Sequence, residues 1–328
     1  MTTATDYQSV DPTIWRGRES APNQYWYQRV KCLPWTDYLQ LVDNNRPQVV
    51  ILGYAVDEGV RRNQGRIGAA AGPDAIRPLL ATLADHLPDG LDILDLGNVY
   101  CPNGQLGQTQ LFFAAKLTEL KSRGSFPVLL GGGHDIAYAH YQGIQKYMLK
   151  IDPAAKLGII NLDAHFDLRQ ATNGPTSGTP FYQMATDALD RGEQLPYLCL
   201  GIQRAANTRE LFEYASSFGV DFIEAKDFVN SQADFIAAKV AAFLDRVDQV
   251  CLTIDLDGFS SAYAPGVSAP SSAGFAPAPA FQVLRQIAYS GKLTSLDIAE
   301  MNPIYDQDRS TARLAARCVE LIIRAMNE

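Results

Sequence analysis

Six side chains able to hold metal ions stand in three short groups. His134 follows Gly131-Gly132-Gly133, Asp163, His165 and Asp167 alternate within Asn161-Leu162-Asp163-Ala164-His165-Phe166-Asp167, and Asp255 and Asp257 flank Leu256. On extended backbone, residues i, i+2 and i+4 point to one side, so each alternating group is expected to address a single point. Three glycines permit a tight turn and a close backbone approach just before His134. Taken singly, such a histidine reads as a satisfied core residue and Asp-x-His-x-Asp as a turn or a helix N-cap. Taken together, four aspartates gathered without cations would repel one another severely, so the three groups read as a two-metal site. Oxygen-dominated ligation with two imidazoles and no thiolate favours Mn²⁺ over Zn²⁺, and two Mn²⁺ per subunit are expected. Such a pair lowers the pKa of a bound water and supplies a nucleophile near neutral pH. The residual negative field suits a cationic electrophile, such as the carbon of an amidinium or guanidinium.

Each group ends a β-branched and aliphatic run. Apolar runs end near Gly53, Leu96, Leu130, Leu162, Leu200, Ile223, Leu256 and Ile298, and stretches of helical period lie over roughly 73–87, 108–123, 136–149, 180–190, 208–217, 231–246, 278–290 and 309–326. Continuous apolar strands alternating with helices predict an α/β fold, a three-layer αβα sandwich on a mostly parallel sheet of about eight strands. Ligands of such sheets bind beyond the carboxyl ends of the strands, where all three groups fall. Residues 1–46, rich in Trp, Tyr and Pro and without a clear period, are expected to form an extension packed on the body, and 47–328 a single domain. His140, inside a helical stretch, reads as a helix-surface or packing residue.

The 328 residues are 47% hydrophobic and 20% charged, ample for a large core, and the net charge is −8. No lysine and arginine cluster offers a phosphate-tracking stripe, which weighs against nucleic acid and anionic membranes as partners. The five cysteines are scattered without a C-x-x-C pair and read as reduced thiols. The polar N-terminus and the lack of a membrane-spanning apolar run predict a cytoplasmic protein acting on a small molecule.

Gly-Gly-x-His, Asp-Ala-His-x-Asp and Asp-x-Asp resemble the ureohydrolase family of arginase, agmatinase and formimidoylglutamase, over most of residues 48–326. The resemblance implies the arginase-like sandwich and a homo-oligomer. It implies a first metal held by His134, Asp163, Asp167 and Asp255, and a second held by Asp163, His165, Asp255 and Asp257, with Asp163 and Asp255 bridging. Ser295-Leu296-Asp297-Ile298-Ala299-Glu300-Met301-Asn302-Pro303 matches the segment that carries the family's amidine-holding glutamate. Glu300 is therefore expected to be catalytic, alongside Asp167 as the group passing a proton to the departing amine.

Two departures bear on the substrate. Gly258-Phe259 replaces the Asp-Pro pair usual in arginases and agmatinases, and Ser177 stands where those enzymes place a proton-moving histidine. A hydroxyl cannot replace imidazole in that task near pH 7. The stretch from Asp57 to Gly68, together with Gly72-Pro73-Asp74-Ala75-Ile76-Arg77 and Asp167-Leu168-Arg169, is similar to the formimidoylglutamase branch. A guanidinium at Arg169 suits a substrate carboxylate. Arg62, Arg66, Asn63 and Ser177 complete the expected substrate contacts. The resemblance thus implies hydrolysis of N-formimidoyl-L-glutamate to L-glutamate and formamide, in histidine degradation. Alternatives are another amidinohydrolase, such as a guanidinobutyrase or agmatinase, and a non-catalytic metal-binding member.

Overall fold

The structure, a computed structural model, describes residues 7–41 and 47–328. Its ten strands are β1 (Tyr7–Gln8), β2 (Lys31–Cys32), β3 (Gln48–Ala55), β4 (Asp92–Tyr100), β5 (Phe126–Leu130), β6 (Leu157–Leu162), β7 (Tyr197–Ile202), β8 (Asp221–Glu224), β9 (Gln249–Asp255) and β10 (Leu293–Ala299). The helices are α1 (Trp26–Arg29), α2 (Trp35–Gln40), α3 (Glu58–Arg62), α4 (Gly72–Ala81), α5 (Leu106–Ser122), α6 (Ile136–Ile151), α7 (Pro180–Asp190), α8 (Arg209–Ser217), α9 (Ala233–Leu244), α10 (Pro277–Tyr289) and α11 (Ser310–Ala325).

The strands form one sheet in the order β1-β4-β3-β5-β10-β9-β6-β7-β8, with β2 also paired to β4. Every pairing is parallel except that of β1 with β4. In β3 every residue after Gln48 is buried, as a strand covered on both faces requires. Alternate side chains feed two cores. Val49 and Ile51 pack with residues of α4, α9, α10 and α11, whereas Val50 and Leu52 pack with residues of α5 and α6. Further along that second face, Ile159 and Tyr197 pack with α7 and α8. The three-layer αβα sandwich is therefore present.

The sheet exceeds the expected eight strands by the two-residue β1 and β2. These come from the segment without period and cover the outer edge of β4 in two pieces. The N-terminal segment is also tied down by a buried charge network. The Arg77 guanidinium, fully buried, grips Asp95 through Nε (2.7 Å) and Nη2 (2.9 Å), and Trp15 Nε1 donates to the same carboxylate at 2.7 Å. The helix expected to run to residue 87 stops at Ala81. Beyond it, Leu83 O accepts from Trp26 N and Asp85 N donates to Gln24 O, so the N-terminal segment takes the backbone bonds that a longer helix would use. The boundary expected between residues 46 and 47 falls at a stretch outside the described residues. At the far edge, β8 is four residues long. Its Asp221 pairs with Lys239 and Arg246, and its Glu224 with Arg204 and Lys226.

Chain order explains the placement of the site. The chain builds β3 to β8, then β9 and β10 return to fill the gap between β5 and β6. The loops that follow β5, β10, β9 and β6 thus leave from four adjacent strand ends. Residues 131–134, 300, 255–257 and 163–167, distant in sequence, are brought side by side.

Candidate metal centre

The glycine run sinks between two strand ends. Gly131 N donates to Ile298 O (2.7 Å), Gly132 N to Tyr54 O (2.8 Å) and Gly133 N to Val56 O (2.9 Å). A Cβ on Gly132 would lie 1.7 Å from Val56 O, so the close approach admits no side chain there. His134 emerges from this cradle with its backbone N–H donating to Glu300 Oε1 at 2.9 Å.

The aspartate groups converge by a different route from the one expected. Residues 163–167 form a bent loop rather than extended backbone, and Leu256–Gly258 is a 3-10 turn. In both, the first carboxylate accepts the N–H two residues on: Asp163 Oδ1 from His165 (2.7 Å) and Asp255 Oδ1 from Asp257 (2.8 Å). Each is an Asx turn, which folds the second ligand back beside the first. Asp167 and Glu300 hold left-handed backbone, with φ of 47° and 65°. Non-glycine residues persist there only where the surroundings over-determine the conformation.

All six expected metal ligands meet. His134 Nδ1 faces three carboxylates, Asp167 Oδ2 at 2.9 Å, Asp255 Oδ2 at 3.0 Å and Asp163 Oδ2 at 3.2 Å. His165 Nδ1 faces Asp257 Oδ1 at 3.3 Å and Asp163 Oδ1 at 3.4 Å. Two donor sets result, one of His134, Asp163, Asp167 and Asp255 and one of Asp163, His165 and Asp257, each with ligand atoms within 4.8 Å of one another. Asp163 belongs to both.

The electrostatics of this cluster call for cations. Burial, with Asp163 beside it, pushes the Asp255 carboxyl up to about 6. Burial and neighbouring Asp255 push Asp257 well above the carboxylate range, and burial with Asp255 and Asp257 does the same to Glu300. Asp167 is raised by burial and by Asp163. Burial opposes the charge of Asp163 too, but His134 and His165 bonded to it hold it below its ordinary value. The imidazoles move the other way: burial disfavours their cations, yet Asp255 beside His134 and Asp257 beside His165 raise both well above the usual range. Among the described residues, buried Glu300 Oε2 has no hydrogen-bond partner, and buried Asp257 Oδ1 has only the 3.3 Å approach of His165 and no hydrogen bond. A buried carboxylate cluster of this kind, with oxygen donors lacking partners, fits hard divalent ions in place of the protons.

The centre opens into a cavity of about 340 Å³ lined by Asn63, Arg66, His165, Asp167, Arg169, Ser177, Asp255, Asp257 and Glu300, among others. Ser177 accepts from Asn63 Nδ2 at 3.2 Å. Arg169 is exposed, and among the described residues its guanidinium makes no hydrogen bond or ion pair. Arg66 lines the cavity, but its Nε and Nη2 donate to Ser268 O and Val267 O, and it stacks on Tyr305 at 3.7 Å. The expectation for Arg62 meets an occupied guanidinium, which binds Glu58, Pro175 O and Gly104 O and does not line the cavity.

Sequence reasoning missed the partners behind the ligands. Asn161 Nδ2 holds Asp163 Oδ2 at 3.0 Å, and His134 Nε2 lies 2.9 Å from Thr253 Oγ1. His140 packs as expected but is buried against β10, not at the helix surface. A polar residue within a wholly apolar strand, as Asn161 and Thr253 are, was the available signal.

The chain belongs to the arginase family, whose pattern it matches over residues 47–324. Among curated relatives, the formimidoylglutamase of Chromobacterium violaceum is 42% identical over 312 residues, which are 94% of this chain and 96% of that protein. That of Cupriavidus pinatubonensis is 45% identical over 271 residues, covering 82% and 84%. Among solved structures, Bacillus subtilis formimidoylglutamase shares the fold with a TM-score of 0.80 at 19% identity, covering 95% of this chain and 94% of that one. Trypanosoma cruzi formiminoglutamase, crystallised with Mn²⁺, gives a TM-score of 0.73 at 25% identity, covering 87% and 95%.

Proposed function

We propose that this chain hydrolyses N-formimidoyl-L-glutamate to L-glutamate and formamide, with two Mn²⁺ held by the centre, as a step of histidine degradation in the cytoplasm. His134, Asp163, Asp167 and Asp255 would hold one ion and Asp163, His165, Asp255 and Asp257 the other. Bound there, the ions would supply Lewis-acid charge and an activated water near neutral pH.

The residues of the chain do the rest. Glu300 Oε1 is fixed by the His134 N–H, which leaves Oε2 to accept from the amidinium nitrogen of the substrate. Asp167 relays the proton of the attacking water to the glutamate nitrogen as its bond to the formimidoyl carbon breaks. The carbon departs as formamide, keeping its own nitrogen and gaining the oxygen of water. Ser177 and Asn63 border the substrate without moving protons. One observation carries the choice of substrate: Arg169 lines the same cavity as the acidic centre with its guanidinium uncommitted. A fork of that kind binds both oxygens of a carboxylate, which formimidoyl-glutamate offers and agmatine lacks. The named relatives support the same choice.

A Mn²⁺-supplemented panel of formimidoyl-glutamate, arginine, agmatine and guanidinobutyrate tests it. Formimidoyl-glutamate should turn over fastest, and a faster guanidino compound would displace this reading. Turnover of none would leave a non-catalytic metal-binding member. We also propose a homo-oligomer, on the strength of exposed Leu111, Ile151, Leu189 and Ile304. Sedimentation as a monomer would remove it.

A further inference from the structure

Behind the centre, a second line of polar groups runs through the interior of the sheet. His134 Nε2 lies 2.9 Å from Thr253 Oγ1, which lies 2.6 Å from Asp297 Oδ1. Asp297 Oδ2 lies 2.6 Å from His140 Nδ1, and His140 Nε2 lies 2.5 Å from Ser295 Oγ. Thr253 comes from β9, Ser295 and Asp297 from β10, His140 from α6 and His134 from the loop after β5, and all five side chains are buried.

The chemistry of the donors gives this line a direction. A carboxylate accepts and does not donate. Asp297 therefore takes the Thr253 O–H through Oδ1 and the His140 N–H through Oδ2. With its hydrogen committed, Thr253 has lone pairs alone to offer His134, so Nε2 of His134 must carry the proton. Nδ1, facing Asp163, Asp167 and Asp255, is then the nitrogen left with a lone pair. We propose that Asp297, anchored by His140, sets the tautomer and orientation of His134 through Thr253, and so builds one metal position from inside the sheet. Thr253, Asp297 and His140 are positioning residues in this arrangement, extending by one hydroxyl the carboxylate–histidine pairing common behind metal ligands. Among the described residues no such line stands behind His165, whose side chain is 26% exposed. The two positions therefore differ in how their imidazole is held.

The inference rests on the metal-centre reading, and the test separates the two. Mn²⁺ is titrated into chelator-stripped protein, with free ion followed by electron paramagnetic resonance and bound ion by elemental analysis. Wild type should bind two ions. Thr253→Val, which keeps the shape and loses the hydroxyl, should weaken one of the two ions by about 10–100-fold, the usual cost of losing an outer partner. Thr253→Ser should restore it to within a few-fold. His140→Leu should shift the same ion, and His140→Asn, which keeps an N–H, should shift it less. A merely structural role would lower Tm without separating the ions. Thr253→Val with both affinities intact overturns the inference and leaves the metal centre standing, while a wild type that takes up no ion overturns both. A second measurement needs no variant. In wild type loaded with diamagnetic Zn²⁺, the histidine nitrogen-15 spectrum should show a proton on His134 Nε2, and a bare Nε2 overturns the proposal.

Discussion

Arg169, proposed to bind the substrate carboxylate, would divide substrate recognition from metal chemistry more cleanly than any other residue of the site. It lines the cavity yet is not among the gathered donors, so its removal should act on binding alone. A charged hydrogen bond is worth about 1.5–3 kcal/mol, so Arg169→Ala should raise KM for formimidoyl-glutamate on the order of tenfold or more. Metal content should not change. Steady-state kinetics with elemental analysis checks both, and an unaltered KM would withdraw Arg169 from substrate binding. The six donors were legible in the sequence because acids and histidines at the ends of apolar runs have few other uses. The surroundings of Arg62 were not, because a guanidinium reaches backbone carbonyls from distant loops as readily as it reaches a ligand. The partners of Thr253 and Asp297 were hidden for another reason. Each is a polar residue inside a buried strand, and its meaning lies in what the neighbouring strand places 2.6 Å away.

The regular elements were legible from period and burial, and the irregular ones were not. Strands β3 to β10 and helices α4 to α11 follow the apolar runs and helical stretches, apart from the early end of α4. The two-residue β1 and β2 carry no period, since their reason to be extended is the unpaired edge of β4. The helix that stops at Ala81 makes the same point, because the competing bonds come from residues 24 and 26. Within the site, alternation correctly forecast that Asp163, His165 and Asp167 converge but gave the wrong local geometry. A side-chain oxygen bonded to the N–H two residues on replaces the extended strand, and the Asp255 group repeats the device. That shared turn lets both groups bring paired ligands to one point from parallel strands.

At the scale of the whole molecule, the centre stores charge that folding alone does not balance. Asp255 rises from 3.8 to about 6, and Asp167, Asp257 and Glu300 also rise. Acids held above their unfolded values favour the fold at low pH, and that contribution is lost as pH climbs through the raised value. His134 and His165, also raised, lose their contribution in the same direction, while depressed Asp163 loses its own only as pH falls. Chelator-treated protein should therefore melt at lower temperature above about pH 6 than below it, by this set of groups. Mn²⁺ held by the folded chain would stand in place of those protons, so the gap in Tm between loaded and stripped protein should widen as pH rises. Calorimetry on either side of that pH reads the effect, and a gap independent of pH would count against the carboxylate cluster as its source.

The two margins of the sheet are blunted in different ways. One is sealed by scraps of the chain's own N-terminal segment, and the other ends in a short strand fringed with bonded charges. Neither leaves a long row of backbone donors and acceptors for a visitor to extend. Extension of the sheet from one copy of this molecule to the next is therefore disfavoured at both margins. The mouth of the site opens beyond the central strands β5, β10, β9 and β6, away from both margins.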